Sequence, residues 1–369
     1  MEDGDRGDVA RRAEGVSSEP PDPVTVEGTG VVLIGFGEPE GTDPAEVESF
    51  LESIFLAGAS LEPGAPGGAE ARARTLAKAR APGLAETYRD IGGSPLMAQL
   101  RAQGELLESE LARRGRALPV TVATQFFRPS VAEAVQWACH HDLTSLVAIP
   151  TYPVCGQTTT LAALESLACA AREGGLSVAG VTGWHRHPEF SRLWATHVED
   201  LVEELGVSLT DEETLLYFSA HGIPVKYLEI VPYTQYVEEA CAAVAAALQV
   251  ERYVLGYQNH RNRPIAWVQP DNEKLLPSLE AERVIVVPIS FLHEQSETLG
   301  ELDQELAAVA TSCGLGFHRV RVPHDDPALI GVLADLAEGA LEPARSPILT
   351  RCSCRRTDAA WCTHGTVGD

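Results

Sequence analysis

Residues 31–37 read VVLIGFG, a continuous apolar run that stops at a glycine. Such a run predicts a strand buried on both faces of a parallel sheet, followed by a turn. Residues 215–219, LLYFS, repeat the pattern in the second half of the chain. Strand and helix patterns alternate after both runs, which predicts an α/β fold of two similar doubly wound (Rossmann-like) domains with parallel sheets. Ligands of such sheets bind beyond the carboxyl ends of the strands.

The chain divides into four predicted segments. Residues 1–30 form a polar, acidic tail that is expected to be disordered and lacks the apolar core of a signal peptide. Residues 31–180 form the N-terminal α/β domain, and residues 181–345 form the C-terminal α/β domain. Residues 346–369 form a cysteine-rich tail.

Charge excludes one broad class of function. The 369 residues carry 28 Lys and Arg against 53 Asp and Glu, a formal net charge of −25. A nucleic-acid binder needs basic surface to neutralise phosphates, so no nucleic-acid partner is expected. No stretch of about 18 consecutive apolar residues occurs, so no transmembrane segment is predicted and a cytoplasmic location is expected. Peripheral membrane contact, and the choice between monomer and homodimer, stay open.

The first chemical candidate is His221, in FSAHGIP at 218–224. It follows an apolar strand and stands before Gly222, so it is expected at the ligand-binding edge of a sheet. A neutral imidazole there can act as a base or as a metal ligand. The alternative is a structural histidine that hydrogen-bonds within its loop.

The second candidate is a row of carboxylates in SETLGELDQE at 296–305. Glu297, Glu301 and Glu305 are spaced four residues apart, which places them on one side of a helix. A solvated helix face is the alternative, but Lys and Arg do not interleave the row to neutralise it. Hard oxygen ligands in line can pass protons or divalent cations toward a site.

Two further groups of residues can carry a ligand. The polar, basic loop at 257–270 ends near Trp267 and can hold the carboxylates of a flat apolar ligand, or be an ordinary surface loop. Four cysteines can bind an iron–sulfur cluster or zinc, or remain thiols. They are Cys155, Cys352, Cys354 and Cys362.

Taken in order, several motifs resemble the ferrochelatase family, the type II chelatases of haem biosynthesis. The matching segments are LIGFGEPE (33–40), YRDIGGSPL (88–96), TYP (151–153), FSAHGIP (218–224) with Tyr227 and Pro232-Tyr233, the Trp267 loop, and SETLGELDQE (296–305). They run in the family's order over roughly residues 31–345.

The resemblance implies an enzyme, a lyase that inserts Fe²⁺ into a porphyrin in a cleft between the two domains. It implies that His221 is the active-site histidine, that Glu297 is its partner, and that both are metal ligands. It also implies that Glu301 and Glu305 are catalytic residues in an acidic row leading from the metal. The porphyrin and ferrous iron would be the partners. It implies substrate contacts from Tyr88, Ser94, Tyr227 and Trp267. The four cysteines resemble those of members that carry a [2Fe-2S] cluster.

The motifs also depart from the family pattern. Gly35 and Glu38 replace an asparagine and a glycine of the first motif, and Gln125 replaces an arginine. The remaining departures are Ile230 and Val231, in place of Gly-Asp, and Gln295, in place of a histidine. Two other functions therefore stay open: a chelatase for another tetrapyrrole or metal, such as cobalt, and a non-catalytic tetrapyrrole or metal carrier. Protoporphyrin IX and coproporphyrin III are both possible substrates.

Overall fold

The computed structural model describes residues 27–59, 68–260, 265–352 and 360–364. The predicted disorder of the tail at 1–30 falls almost entirely outside these residues, as does Cys354. The fold is α/β with two sheets of mainly parallel strands, which confirms the predicted fold class. Within the described residues, no helix is both long and apolar enough to cross a membrane.

The first sheet has six strands in the order β2-β1-β3-β4-β10-β9. Every pairing is parallel except β9 with β10. Its strands are β1 (Thr29–Gly35), β2 (Val120–Thr124), β3 (Ser145–Pro150), β4 (Ser177–Gly183), β9 (Thr350–Arg351) and β10 (Ala360–Cys362). All seven residues of β1 are buried, as a central strand of a two-sided sheet should be.

The second sheet has four parallel strands in the order β6-β5-β7-β8. They are β5 (Thr214–His221), β6 (Tyr253–Gln258), β7 (Arg283–Val287) and β8 (Gly316–Arg319). In both sheets the first strand along the chain lies in the interior, so the strand order reverses beside it. Such a switch point opens a crevice at the carboxyl edge of the sheet.

Helices cover both sheets. They are α1 (Pro44–Ala57), α2 (Gly68–Asp90), α3 (Leu96–Arg113), α4 (Val131–His140), α5 (Ala162–Glu173), α6 (Pro188–Leu205), α7 (Tyr233–Ala247), α8 (Asn272–Leu275), α9 (Ala307–Ser312) and α10 (Pro327–Leu341). The sequence patterns missed β4 and α6. In β4, Gly180 and Gly183 interrupt the apolar run that predicts a buried strand.

The cysteine-rich C-terminal segment returns to the first sheet. Trp361 pairs with Val181 of β4, and Cys362 pairs with Gly183. The preceding helix α10 packs against α3, α6, β3 and β4. The C-terminal residues therefore extend the sheet of the N-terminal half, although they come last in the chain.

The helix that carries the acidic row is wound differently from the expected α-helix. Residues Ser296–Leu306 form a π-helix that continues into α9. A spacing of four residues is compatible with either winding, so the sequence pattern did not distinguish them. Single π turns inside helices are found often at functional sites, and this stretch is longer than one turn.

Candidate active site

The candidate site lies at the carboxyl edge of the second sheet. His221 is the last residue of β5, and it stands in register with Gln258, the last residue of β6. The π-helix follows the next strand, β7, after a short loop. Parallel strands end at the same edge, and so the sheet itself brings these three segments together.

His221 and Glu297 meet directly. Nε2 of His221 is 3.3 Å from Oε1 of Glu297, and Nε2 of His260 is 3.9 Å from the same oxygen. The ring centroids of the two histidines are 5.3 Å apart. The side chains of His221 and Glu297 are 31% and 19% exposed, so solvent and a ligand can reach them. Two imidazoles and one carboxylate around one point form a donor set that a divalent transition metal can use.

Backbone contacts fix the position of His221. Its N–H donates to the hydroxyl of Ser290 at 2.8 Å, and its carbonyl accepts from the hydroxyl of Tyr233 at 2.9 Å. A Cβ at Gly222 would lie 1.9 Å from Oδ1 of Asn259, so only glycine allows these loops to approach so closely. The imidazole is therefore presented from a rigid strand end.

His221 and Glu297 interact electrostatically, and each shifts the pKa of the other. Partial burial acts to lower the pKa of His221, but the Glu297 carboxylate outweighs it and holds that pKa above its usual value. Burial likewise acts to raise the pKa of Glu297, but the charges of His221 and His260 keep it lowered. The geometry therefore favours an ionised carboxylate beside an imidazole of increased basicity, which suits proton acceptance.

The acidic row leads outward from this pair. Burial, and next the charge of Glu297, raise the pKa of Glu301 to about 7. Nε2 of Gln258 donates to Oε2 of Glu301 at 2.5 Å and to the carbonyl of Glu297 at 3.0 Å. Glu305, farther along the helix, is exposed. Glu301 can thus take up or release a proton near neutral pH between the pair and the surface.

Tyr88 and Ser94, for which the resemblance implied substrate contacts, are both buried. The hydroxyl of Ser94 donates to Oε2 of Glu38 at 2.5 Å. Glu38 is 3% exposed, and burial raises its pKa to about 6 against the opposing hydrogen bonds of Ser296 and Ser94. Burial and the charge of Glu38 raise the pKa of Tyr88, which keeps its hydroxyl protonated.

Tyr227 and Trp267 occupy different surroundings. Tyr227 is buried within the 3-10 helix Val225–Glu229. Trp267 is partly exposed, and its ring centroid is 5.4 Å from that of His260. Its Nε1 has no hydrogen-bond partner within the described part of the chain. Of the four residues with implied substrate contacts, Trp267 is thus the one that lies beside the histidine pair.

Three of the four cysteines singled out from the sequence converge at the end of β4. Cys362 is paired with Gly183, and a Cβ at Gly183 would lie 3.1 Å from Cβ of Cys155. Sγ of Cys352 accepts a hydrogen bond from the hydroxyl of Thr182 at 3.3 Å. The C-terminal strands therefore bring residues about 200 positions apart to one corner of the first sheet.

A second His and Glu cluster lies beside these cysteines. His185, Glu239 and His364 place ligand atoms within 4.8 Å of one another. However, the guanidinium of Arg186 donates to both oxygens of Glu239, at 2.8 and 2.9 Å, and Nε2 of His185 is 3.0 Å from one of them. Arg186 also donates to the carbonyl of His364 at 3.4 Å, so this polar network connects the C-terminal segment with Glu239 of α7.

Sequence reasoning missed His260, Gln258 and Glu38. His260 comes two residues after the end of β6, the strand next to β5, and that shared edge was the available signal. Gln258 gave no signal of its own, because a glutamine at a strand end has many uses. Glu38 was noted only as a departure from a motif, with no partner assigned.

Comparison with known proteins identifies the family. A family model described as Ferrochelatase matches residues 28–341. The ferrochelatase of Picosynechococcus sp. is 32% identical over 85% of this chain and 83% of its own length, and that of Nostoc sp. is 31% identical over 85% and 82%. Among solved structures, SirB from Bacillus subtilis with Fe³⁺ covers 86% of this chain and 98% of its own, at 10% identity and a TM-score of 0.49. That last likeness is too distant to bear on substrate or metal. The sequence matches are sufficient on their own: this chain belongs to the ferrochelatase family, metal chelatases that act on a tetrapyrrole.

Proposed function

We propose that this chain inserts ferrous iron into a porphyrin with release of two protons, and that His221 and Glu297 carry the reaction. The observation that supports this most is the 3.3 Å approach of the two side chains at a solvent-reachable sheet edge. His260 adds a third donor within reach of the same point. Iron is here a substrate, so the site must release it again and should hold it weakly.

The chemistry requires acceptors for two pyrrole protons. As Fe²⁺ enters, the porphyrin loses both N–H protons, and the metal takes the place of the two hydrogens between the four nitrogens. His221 would accept the first proton, because the carboxylate of Glu297 strengthens it as a base. Glu301, whose pKa is about 7, would receive protons from the pair, and Glu305 would pass them to water.

The ring itself would be held by apolar and donor groups around the histidines. Trp267 is partly exposed and its ring lies 5.4 Å from that of His260, which suits apolar contact with the edge of a porphyrin. Tyr88 and Ser94 would support the site without touching the ring, since they are buried and Ser94 binds Glu38. Tyr227 is also buried, and it would support the loop after β5 without touching the ring.

His260 favours a second candidate, insertion of cobalt. A second imidazole next to His221 gives a site richer in nitrogen ligands, and affinity for such sites rises from Fe²⁺ to Co²⁺. Both candidates use the same proton acceptors. They differ in which metal the enzyme inserts faster when both are available at equal concentration.

We also propose a [2Fe-2S] cluster at the corner formed by Cys155, Cys352 and Cys362, with Cys354 as the fourth ligand. Thiolates are the ligands such clusters require, and the Thr182 hydroxyl donates to one of them, an interaction that tunes cluster potentials. When bound, the cluster would cross-link the C-terminal strands to the loop after β3, where Cys155 lies. No proton transfer at His221 depends on it.

The test is anaerobic metallation followed by the Soret band. Protoporphyrin IX and coproporphyrin III are each mixed with Fe²⁺ or Co²⁺ and purified protein, with heat-denatured protein as the background. Formation of iron porphyrin above background supports the proposal, and the faster porphyrin identifies the substrate. Faster cobalt insertion would favour the second candidate. Porphyrin binding without any metallation would refute both and favour a carrier.

A further inference from the structure

Glu38 lies where three segments of the chain meet. Ser94, in the loop before α3, donates its hydroxyl to the carboxylate at 2.5 Å. Ser296 donates its backbone N–H at 3.2 Å and also its hydroxyl. One carboxylate therefore connects the loop after β1 and the loop before α3, both from the first half, to the π-helix of the second half.

Glu38 contacts the π-helix at its first turn, next to the candidate catalytic residue Glu297. Ser296 is the first residue of the helix, and Glu297 follows it directly. The first N–H groups of a helix lack partners within it, and a carboxylate that accepts one of them fixes the start of the helix. The orientation of Glu297 toward His221 thus depends on where Ser296 is held.

The carboxylate of Glu297 is fixed at its other oxygen as well. Nε2 of Gln295 donates to Oε2 of Glu297 at 3.0 Å, while Oε1 faces His221. Gln295 is the residue that precedes Ser296, and its N–H donates to the hydroxyl of Thr298 at 2.9 Å. A shift at Ser296 would therefore disturb both contacts of Glu297 together.

Burial of the Glu38 carboxylate reduces the stability of the folded protein in this region. A buried carboxylate is costly unless donors satisfy it, and here the nearby Glu297 charge adds repulsion. A glycine, as in the motif that this segment resembles, would avoid the cost. The preceding residue, Gly37, has φ 85°, a backbone conformation that favours glycine. Buried polar groups kept at such a cost need an explanation in function or specificity.

We propose that Glu38 is a positioning residue for metal insertion: it holds Ser296, and through it directs Glu297 at His221. This inference rests on the proposed function. Glu38 does not touch the substrate in this role. Its loss should slow the chemical step and leave porphyrin binding in place, because the ring is held by other groups.

The experiment compares Glu38→Gln and Ser296→Ala with a matched control, Glu40→Gln. Glu40 lies two residues away, is about half exposed, and pairs with Arg101 at 2.7 Å. For each variant, kcat and the KM for porphyrin are measured anaerobically, the melting temperature is recorded, and competent sites are counted by quenching of porphyrin fluorescence. Misplacement of a reacting group by about 1 Å can cost about 100-fold in rate. We expect kcat per competent site to fall at least tenfold in the first two variants and to stay unchanged in the control.

The outcomes separate the inference from the proposed function. A loss of kcat with KM within twofold of wild type supports positioning. Wild-type kcat per competent site in Glu38→Gln, or a loss explained entirely by fewer competent sites, overturns it. If Glu38→Gln does not fold, Ser296→Ala decides by the same criteria. A wild-type protein that metallates no porphyrin refutes the proposed function itself, whereas an active wild type with indifferent variants refutes only the role of Glu38.

Discussion

Replacing Glu301 by glutamine should make folding stability less sensitive to pH. In the folded protein the carboxyl of Glu301 has a pKa of about 7, against an ordinary value of 4.5. The unfolded chain therefore ionises this group at a lower pH than the folded chain does. Stability from the protonated carboxyl is complete below pH 4.5 and is lost as the pH rises to about 7. Glutamine has no such titration.

The magnitude follows from the two pKa values. Between 4.5 and about 7, at about 1.4 kcal/mol for each pH unit, the wild type loses about 3 kcal/mol of unfolding free energy from this group. Groups that do not interact with Glu301 titrate alike in both proteins and cancel in the difference, whereas His221 and Glu297 interact with it and contribute to the difference. The stability of Glu301→Gln relative to wild type should therefore rise by about 3 kcal/mol between pH 4.5 and pH 8.

Urea unfolding followed by tryptophan fluorescence, at pH 4.5, 6 and 8, measures this difference. Glu305→Gln is the control, because it removes the same charge at the exposed end of the same row. Its stability relative to wild type should change less with pH than that of Glu301→Gln, because the side chain of Glu305 is exposed. Parallel pH profiles for wild type and Glu301→Gln would refute the reasoning, since they would show that the buried carboxyl titrates as it does in water.

The remaining predictions concern the metal, the cluster and the pair. Glu297→Gln keeps the shape of the side chain but cannot accept a proton, so metallation followed at the Soret band should slow at least tenfold; an unchanged rate would exclude its role. His260→Ala should reduce Co²⁺ insertion more than Fe²⁺ insertion in paired assays, and equal losses would remove the cobalt candidate. Cys362→Ser should abolish the visible absorption of a cluster in anaerobically purified protein; a colourless wild type would eliminate the cluster.

The meeting of His221 with Glu297 could be anticipated because parallel strands end at one edge of a sheet. A histidine at the end of one strand and an acidic helix after a neighbouring strand must then approach each other. The same rule applied to β6 would have found His260, but the basic residues of that loop suggested a carboxylate ligand instead. The position of a residue at the carboxyl edge of a sheet was the more reliable guide to the site, because that position depends on topology and not on side-chain type.

Other features depend on contacts that no local pattern records. The π winding of Ser296–Leu306 leaves the four-residue spacing of the glutamates intact, so the sequence could not distinguish it from an α-helix. The contact between Glu38 and Ser296 joins residues 258 positions apart. The strands β9 and β10 have two and three residues, too short for an alternating pattern, and they form because β4 leaves an edge to pair with.

If the imidazole of His221 performs metal insertion, His221→Ala should remove that activity and leave porphyrin binding. Wild type and variant are each mixed with porphyrin and Fe²⁺ without oxygen, and porphyrin binding is measured on the same samples by fluorescence quenching. We expect the variant to bind porphyrin but to yield no iron porphyrin above background. Metallation by the variant at the wild-type rate would contradict it.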